Sequence, residues 1–228
     1  MKFKIEDLDN LEELNMRLEE LSAPEIVDWA LSGFGGTVAI AASFEDIVLI
    51  DLAVKLAPDI EVIFLDTKAH FPETMFFVEE IERRYDLNLT ITTPGPDASE
   101  HPCGSAQCCQ FRKVLPLQRA LSSMNAWMTS LKRSDGPQRK EIPIVGIDTV
   151  FLGAAGQGLV KINPLAQWTS SDIANYLDEH HLPEHPLISM GYRSIGCAPT
   201  TTPTLQGDDP RSGRWSGQEK TECGLHIS

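Results

Sequence analysis

A chain of 228 residues with 42% hydrophobic and 23% charged residues has ordinary globular composition and can bury a substantial core. Its formal net charge of −14 argues against general nucleic-acid binding, because repulsion from phosphates would dominate. No apolar run approaches the ~20 residues of a membrane span, and Met-Lys-Phe-Lys-Ile-Glu-Asp at the start lacks the apolar core of a secretory signal, so a cytoplasmic location is expected.

Leu8, Leu11, Leu14, Leu18 and Leu21 fall on one stripe and predict an amphipathic helix over 7–22. Ser22, Pro24 and Glu25 then read as the cap, first turn and capping-box acid of a second helix. From Thr37 the pattern alternates. Strands are predicted at 38–42, 61–65 and 87–92, separated by helices from the Ser43-Phe44-Glu45-Asp46 turn to Lys55 and from Pro72 to Arg84. Strands and helices in this alternation imply right-handed βαβ units, hence an α/β fold built on a parallel sheet with helices on both faces. The stretch 94–107 reads as a loop, and Cys108-Cys109 opens a helix to about Leu121. Further strands are predicted at 126–131, 142–147 and 159–162, and a helix at 170–179 capped by Thr169 or Ser170. Beyond His180 the chain is irregular.

Two strand ends carry polar residues, Ser43 to Asp46 and Leu65-Asp66-Thr67 up to Thr74. Ligands of a parallel sheet bind at such ends, near the switch point of strand order, although Ser and Thr before a helix are most often plain caps. His70 reads as a structural histidine in this loop rather than a general base. Residues 112–140 hold Arg112, Lys113, Arg119, Lys132, Arg133, Arg139 and Lys140 against one acid, Asp135. In an acidic chain this cluster reads either as a pocket for a phosphate- or sulfate-like anion or as a solvated basic face.

The five cysteines are Cys103, Cys108, Cys109, Cys197 and Cys223. An odd number without an export signal leaves metal binding, thiol catalysis or burial rather than a disulfide framework. Cys108, Cys109 and Cys197 have the composition of an iron–sulfur site but supply three of the usual four thiolates. Cys223, on the irregular tail, is either a nucleophile that swings between a substrate and a second partner or an incidental cysteine.

The chain as a whole resembles the thioredoxin-dependent adenylyl-sulfate and phosphoadenylyl-sulfate reductases of assimilatory sulfate reduction. The resemblance runs from about Val38 to the C-terminus. Its motifs are Ser43–Asp46, Leu65-Asp66-Thr67 with Pro72-Glu73-Thr74, and Cys108-Cys109 with Arg112-Lys113. After them come Ala126-Trp127 leading to Lys132-Arg133, Asn163-Pro164-Leu165, Ser194-Ile195-Gly196-Cys197-Ala198-Pro199, Asp209-Pro210-Arg211-Ser212-Gly213-Arg214-Trp215 and Glu222-Cys223-Gly224-Leu225-His226. It implies an adenine-nucleotide α-hydrolase-like fold divided into a helical segment (1–36), a sulfonucleotide-binding α/β domain (37–196) and a tail with the catalytic cysteine (197–228).

The reaction implied is reduction of adenylyl sulfate to sulfite and AMP, as part of cysteine biosynthesis. Cys223 would carry an S-sulfocysteine intermediate that thioredoxin resolves. Ser43, Thr67, Lys113, Arg133, Arg211, Arg214 and His226 would bind the substrate, and Cys108, Cys109 and Cys197 would hold a [4Fe-4S] cluster. The fourth ligand position is occupied by Thr200. Cys103 is the candidate substitute, weighed against the plainer reading of an unrelated free cysteine. Three more departures stand close to the pocket: the Ser43–Asp46 loop lacks a Gly-Ala pair, Lys68 replaces a glycine, and the 94–107 loop is compressed. The resemblance implies no nucleic-acid or membrane partner and leaves a homo-oligomer open. Two rival readings also remain: a cluster-free phosphoadenylyl-sulfate reductase, and a weakened homologue that binds nucleotide or senses redox state.

Overall fold

In a computed structural model, which describes residues 8–205, 207–215 and 225, the predicted strands join into one sheet. Strands β1 (Val38–Ala42), β2 (Glu61–Leu65), β3 (Asn88–Thr92), β4 (Ala126–Met128), β5 (Val145–Leu152) and β6 (Gly158–Ile162) stand in the order β3-β2-β1-β4-β6-β5. Every neighbouring pair is parallel except β5 and β6, which are antiparallel. The expected parallel sheet therefore becomes a mixed one at its edge. The connection 153–157, closed by the Gly153 N–H on the Gln157 carbonyl at 2.9 Å, is too short for the crossover that a parallel pair needs.

Side chains alternate across this sheet with period two. Ile40, Val62, Phe64, Met128, Val160 and Ile162 face one apolar layer, with helices α2 (Ala23–Phe34), α3 (Val48–Leu56), α4 (Pro72–Tyr85) and α7 (Ser170–Glu179). Ala39, Ile63, Trp127 and Leu159 face the other, against Val114, Leu117 and Leu121. Helices cover both faces, as expected. α1 (Leu11–Leu18) is shorter than the predicted 7–22, starting after an Asn10 cap whose side chain accepts the Glu13 N–H. Leu14 and Leu18 join the first core layer. Asn15 both donates to the Val145 carbonyl (2.8 Å) and accepts its N–H (2.9 Å), so α1 occupies hydrogen-bonding groups of the edge strand.

The predicted Ser22–Glu25 capping box forms, and the predicted cap at Thr169 proves to be a box with Asp172. The Ser22 N–H donates to Glu25 at 2.8 Å, and the Thr169 N–H to Asp172 at 2.7 Å. The Cys108-Cys109 helix is broken into three parts, α5 (Ala106–Cys109), a π turn over Gln110–Val114, and α6 (Leu115–Ala120). Pro116 lacks the N–H that would bond back to Arg112, and the helix widens just before it.

From β1 the chain builds outward through β2 and β3, then crosses back to β4 on the opposite side of β1. The crevice at the carboxyl ends of β1 and β4 is thus the switch point, where such sheets bind ligands. No described helix is long and apolar enough to cross a membrane.

Candidate active site and thiol pocket

A cavity of about 420 Å³ opens at this switch point, within the usual size of small-molecule sites. Ala42 and Ser43 end β1 on one side of it, and Thr129 to Lys132 follow β4 on the other. Thr67 and His70 come from the loop after β2, Lys113 from the π turn, and Ser194 to Gly196, Arg211 and Arg214 from the C-terminal region. Leu225 also lines it.

Charge in the cavity is mixed. The Lys132 ammonium is buried, 3.7 Å from Asp46 and 3.4 Å from Asp135. Burial works against its charge, but Asp46, Asp135 and Glu45 outweigh it and hold its pKa above the ordinary lysine range. Arg139 donates to Asp135 at 2.8 Å. Burial pushes the Glu45 carboxyl up, opposed by Lys132 and by the Ile195 N–H that it accepts at 2.9 Å. That bond ties the short Ser43–Asp46 loop to the segment before Cys197. The polar strand end before α3 is partly self-filled, since Asp46 accepts the Val48 N–H at 3.2 Å.

The predicted basic cluster disperses. Arg112 donates to the carbonyls of Thr67 (2.6 Å) and Ala98 (3.1 Å), and Arg119 to that of Thr93 (3.0 Å). Arg133 is not among the cavity's lining residues. It forks onto the Glu19 carboxylate and donates to the Ile142 carbonyl at 3.0 Å. Lys113, Lys132 and Arg139 reach the cavity, joined by Arg193, Arg211 and Arg214 from far along the chain. Sequence reasoning missed Arg193 and did not single out Lys132 or Glu45 from their neighbours. The local signal for Lys132 was no different from that for Arg133 beside it.

Arg214 is placed by close contact. It donates to Ser194 Oγ and the Ile195 carbonyl, both at 3.2 Å, and stacks over Trp215 at 4.7 Å. A Cβ on Gly196 would stand 2.2 Å from its Nη2, so any larger residue there would displace the guanidinium. Lys68 occupies left-handed backbone, φ 57°, where the glycine that the resemblance implies would sit without strain. Here Asp66 offsets the cost by accepting both the Lys68 N–H (2.9 Å) and its Nζ (2.6 Å). His70 lies as a structural residue would, its Nε2 2.8 Å from the Leu65 carbonyl.

Beside the cavity a second, small pocket is lined by Cys103, Cys108, Cys109 and Cys197, with Arg112, Lys113, Thr200, Arg214 and Trp215. Lys113 and Arg214 line both. These four cysteines are thiols rather than half-cystines. Cys103 interacts with both Cys197 and Cys108. The Cys197 thiol is held well below its ordinary pKa, foremost by Cys103, then by Lys113 and by Thr67 Oγ1 at 3.5 Å, against the effect of burial. Its segment is anchored by the Ala198 N–H on the Ala69 carbonyl (2.7 Å) and the Trp215 N–H on that of Thr200 (2.9 Å).

Four thiols suit soft metals and iron–sulfur chemistry. Among the described residues, no three His, Cys, Asp or Glu side chains stand preset around a metal position. The nature of the lining nevertheless fits an anionic group. The Nε atoms of Arg112 and Arg214, which flank the thiols, are buried without an acceptor among the described residues, an arrangement that proteins avoid unless something else meets the donor.

Of the predicted site residues, Ser43, Thr67, Lys113, Arg211 and Arg214 are brought together at the cavity. Cys108, Cys109, Cys197 and also Cys103 meet at the thiol pocket. Cys223 and His226 lie outside the described residues.

The family described as "Phosphoadenosine phosphosulfate reductase domain" matches residues 37–203 of the chain. The adenosine 5'-phosphosulfate reductase of Mycolicibacterium smegmatis is 41% identical over 220 residues, covering 92% of this chain and 91% of that protein. The crystal structure of phosphoadenylyl-sulfate (PAPS) reductase from Candida auris, a phosphate complex, superposes with a TM-score of 0.70 at 28% identity, covering 85% of this chain and 97% of that one. FMN adenylyltransferase of Candida glabrata, at 16% identity and a TM-score of 0.61 over 94% of this chain and 77% of its own, shares the fold.

Proposed function

Because the chain belongs to the phosphoadenosine phosphosulfate reductase domain family, we propose that it reduces adenylyl sulfate to sulfite and AMP in sulfate assimilation. The observation that carries this reading is the cation-bearing cavity at the β1/β4 switch point, which Leu225, two positions along the chain from Cys223, also lines. Adenylyl rather than phosphoadenylyl sulfate is favoured by the name of the 41% identical relative and by the four-thiol pocket.

In this mechanism the Cys223 thiolate attacks the sulfur of the bound sulfonucleotide. A sulfur–sulfur bond forms, the bond from sulfur to the bridging oxygen breaks, and AMP leaves with that electron pair. Lys113, Arg211 and Arg214 meet the charge that grows on the departing phosphate, with His226 a further contact. Thr67 and Ser43 position the nucleotide at the strand ends. A thioredoxin thiolate then attacks Cys223 Sγ, and sulfite departs with the bonding pair. Its second thiol resolves the mixed disulfide, so the dithiol supplies both electrons that take sulfur from sulfate to sulfite. A cytoplasmic setting suits this dithiol donor.

Cys108, Cys109 and Cys197 would hold a [4Fe-4S] cluster. Such a group supplies concentrated negative charge beside Lys113 and clamps the Cys108-Cys109 helix to the Cys197 loop.

Sulfite release from adenylyl sulfate and reduced thioredoxin, compared with Cys223→Ser, tests the reading. Turnover by the native chain and none by the variant, with AMP still bound by both, is expected. Equal inactivity of the two, with nucleotide bound, would leave a binding protein instead.

A further inference from the structure

We propose that Cys103 supplies the fourth thiolate of the iron–sulfur site, in place of the residue at position 200. This rests on the cluster assigned above and concerns which of this chain's residues completes it.

Thr200 is a poor ligand by chemistry and by posture. A hydroxyl competes badly with thiolates for iron, and Thr200 Oγ1 donates to the Cys197 carbonyl at 3.3 Å. Cys103 has the opposite posture. It shares the pocket of Cys108, Cys109 and Cys197 and interacts with Cys197 and Cys108. The element that carries it is built to deliver it. Cys103 lies in a turn closed by the Ser105 N–H on the Pro102 carbonyl at 3.1 Å, with Gly104 at φ 95°. Ser105 then caps the following helix, accepting the Cys108 N–H at 3.0 Å. The same turn that starts the Cys108-Cys109 helix therefore folds Cys103 back over it.

The rim of the pocket supplies a second, independent observation. Arg112, Lys113 and Arg214 surround the thiols, and the buried Nε donors of Arg112 and Arg214 have no acceptor among the described residues. A four-thiolate cluster is anionic, and its sulfurs accept hydrogen bonds. Three thiolates would leave one iron open to exchange. A fourth from Cys103 closes the set.

The test uses the full chain, purified without oxygen and reconstituted with iron and sulfide. Iron and acid-labile sulfide are measured per chain, together with the rate at which a chelator bleaches the visible absorbance. The chain itself and Cys223→Ser are expected to hold about four irons and to bleach slowly. Cys103→Ser is expected to lose at least one iron per chain or to bleach more than tenfold faster. Adding Thr200→Cys to Cys103→Ser restores content and resistance, which separates a lost ligand from a misfolded loop. Unchanged iron and bleaching in Cys103→Ser would overturn the assignment while leaving the cluster in place, as would loss without rescue in the double variant. A native chain free of iron, or holding zinc without sulfide, would overturn both the assignment and the cluster on which it rests.

Discussion

The Lys132 ammonium stands 3.7 Å from the Asp46 carboxylate, joining the segment after β4 to the loop after β1 across the crevice between them. Both side chains are largely buried, at 9% and 12% exposure. Removing one partner of such a pair leaves the other buried without its counter-charge, a cost of about 3–5 kcal/mol. Lys132→Met is expected to fall at the lower end, because Arg139 still serves Asp135. Urea unfolding measures the loss, and calorimetry with AMP is expected to show affinity reduced more than tenfold.

Arg133 gives the contrasting outcome. Its partner Glu19 caps the C-terminal end of α1, and both are about a third exposed, so solvent screens the pair. Arg133→Ala should cost about 1 kcal/mol and leave AMP affinity within about twofold. A large affinity loss with unchanged stability would show that Arg133 turns to the ligand instead.

Gly196→Ala puts a methyl group where the Arg214 guanidinium lies, 2.2 Å from Nη2. A flexible side chain gives way more readily than backbone, so stability should change by less than about 2 kcal/mol. AMP binding should weaken severalfold, because Arg214 is displaced from the cavity rim. Equal affinity would mean that Arg214 has room elsewhere on the rim.

His185 is a built-in acid sensitivity. Its Nδ1 accepts the Leu187 N–H at 3.2 Å, so Nε2 carries the proton and donates to Thr74 Oγ1 at 3.0 Å. Burial holds its pKa down to about 4, below the unfolded value near 6.5. Above about pH 6.5 both states are neutral and nothing is lost. Between 6.5 and 4 the unfolded chain takes up a proton that the native one refuses, and stability falls by up to about 3 kcal/mol. His185→Gln, which can keep both hydrogen bonds, should flatten unfolding free energy over pH 7 to 4.5. An unaltered pH slope would count against this origin.

Lys68 tests the left-handed backbone after β2. Lys68→Gly relieves about 1 kcal/mol of strain and gives up an ion pair whose lysine is 61% exposed, worth at most about 1 kcal/mol. The two should nearly cancel in the melting temperature. Lys68→Val, branched at Cβ and unable to pair with Asp66, should destabilise the protein by about 2 kcal/mol.

Strands β1 and β2, the Ser22–Glu25 box, a helix cap at Thr169 or Ser170 and the strand-end positions of Ser43 and Thr67 were legible in the sequence. Each rests on contacts within a few residues or on a period of two or 3.6, and such local physics is written in order along the chain. The motifs also held Ser43, Thr67, Lys113, Arg211 and Arg214 of the cavity and Cys108, Cys109 and Cys197 of the thiol pocket. Only the tertiary structure decided the antiparallel turn of β5, since an alternating strand reads alike in either direction. It alone turned Arg133 to Glu19, 114 residues away, and the adjacent Lys132 to the cavity. It likewise brought Cys103 to Cys197. A side chain's partner across such distances is set by how the layers pack, and no local pattern carries that choice.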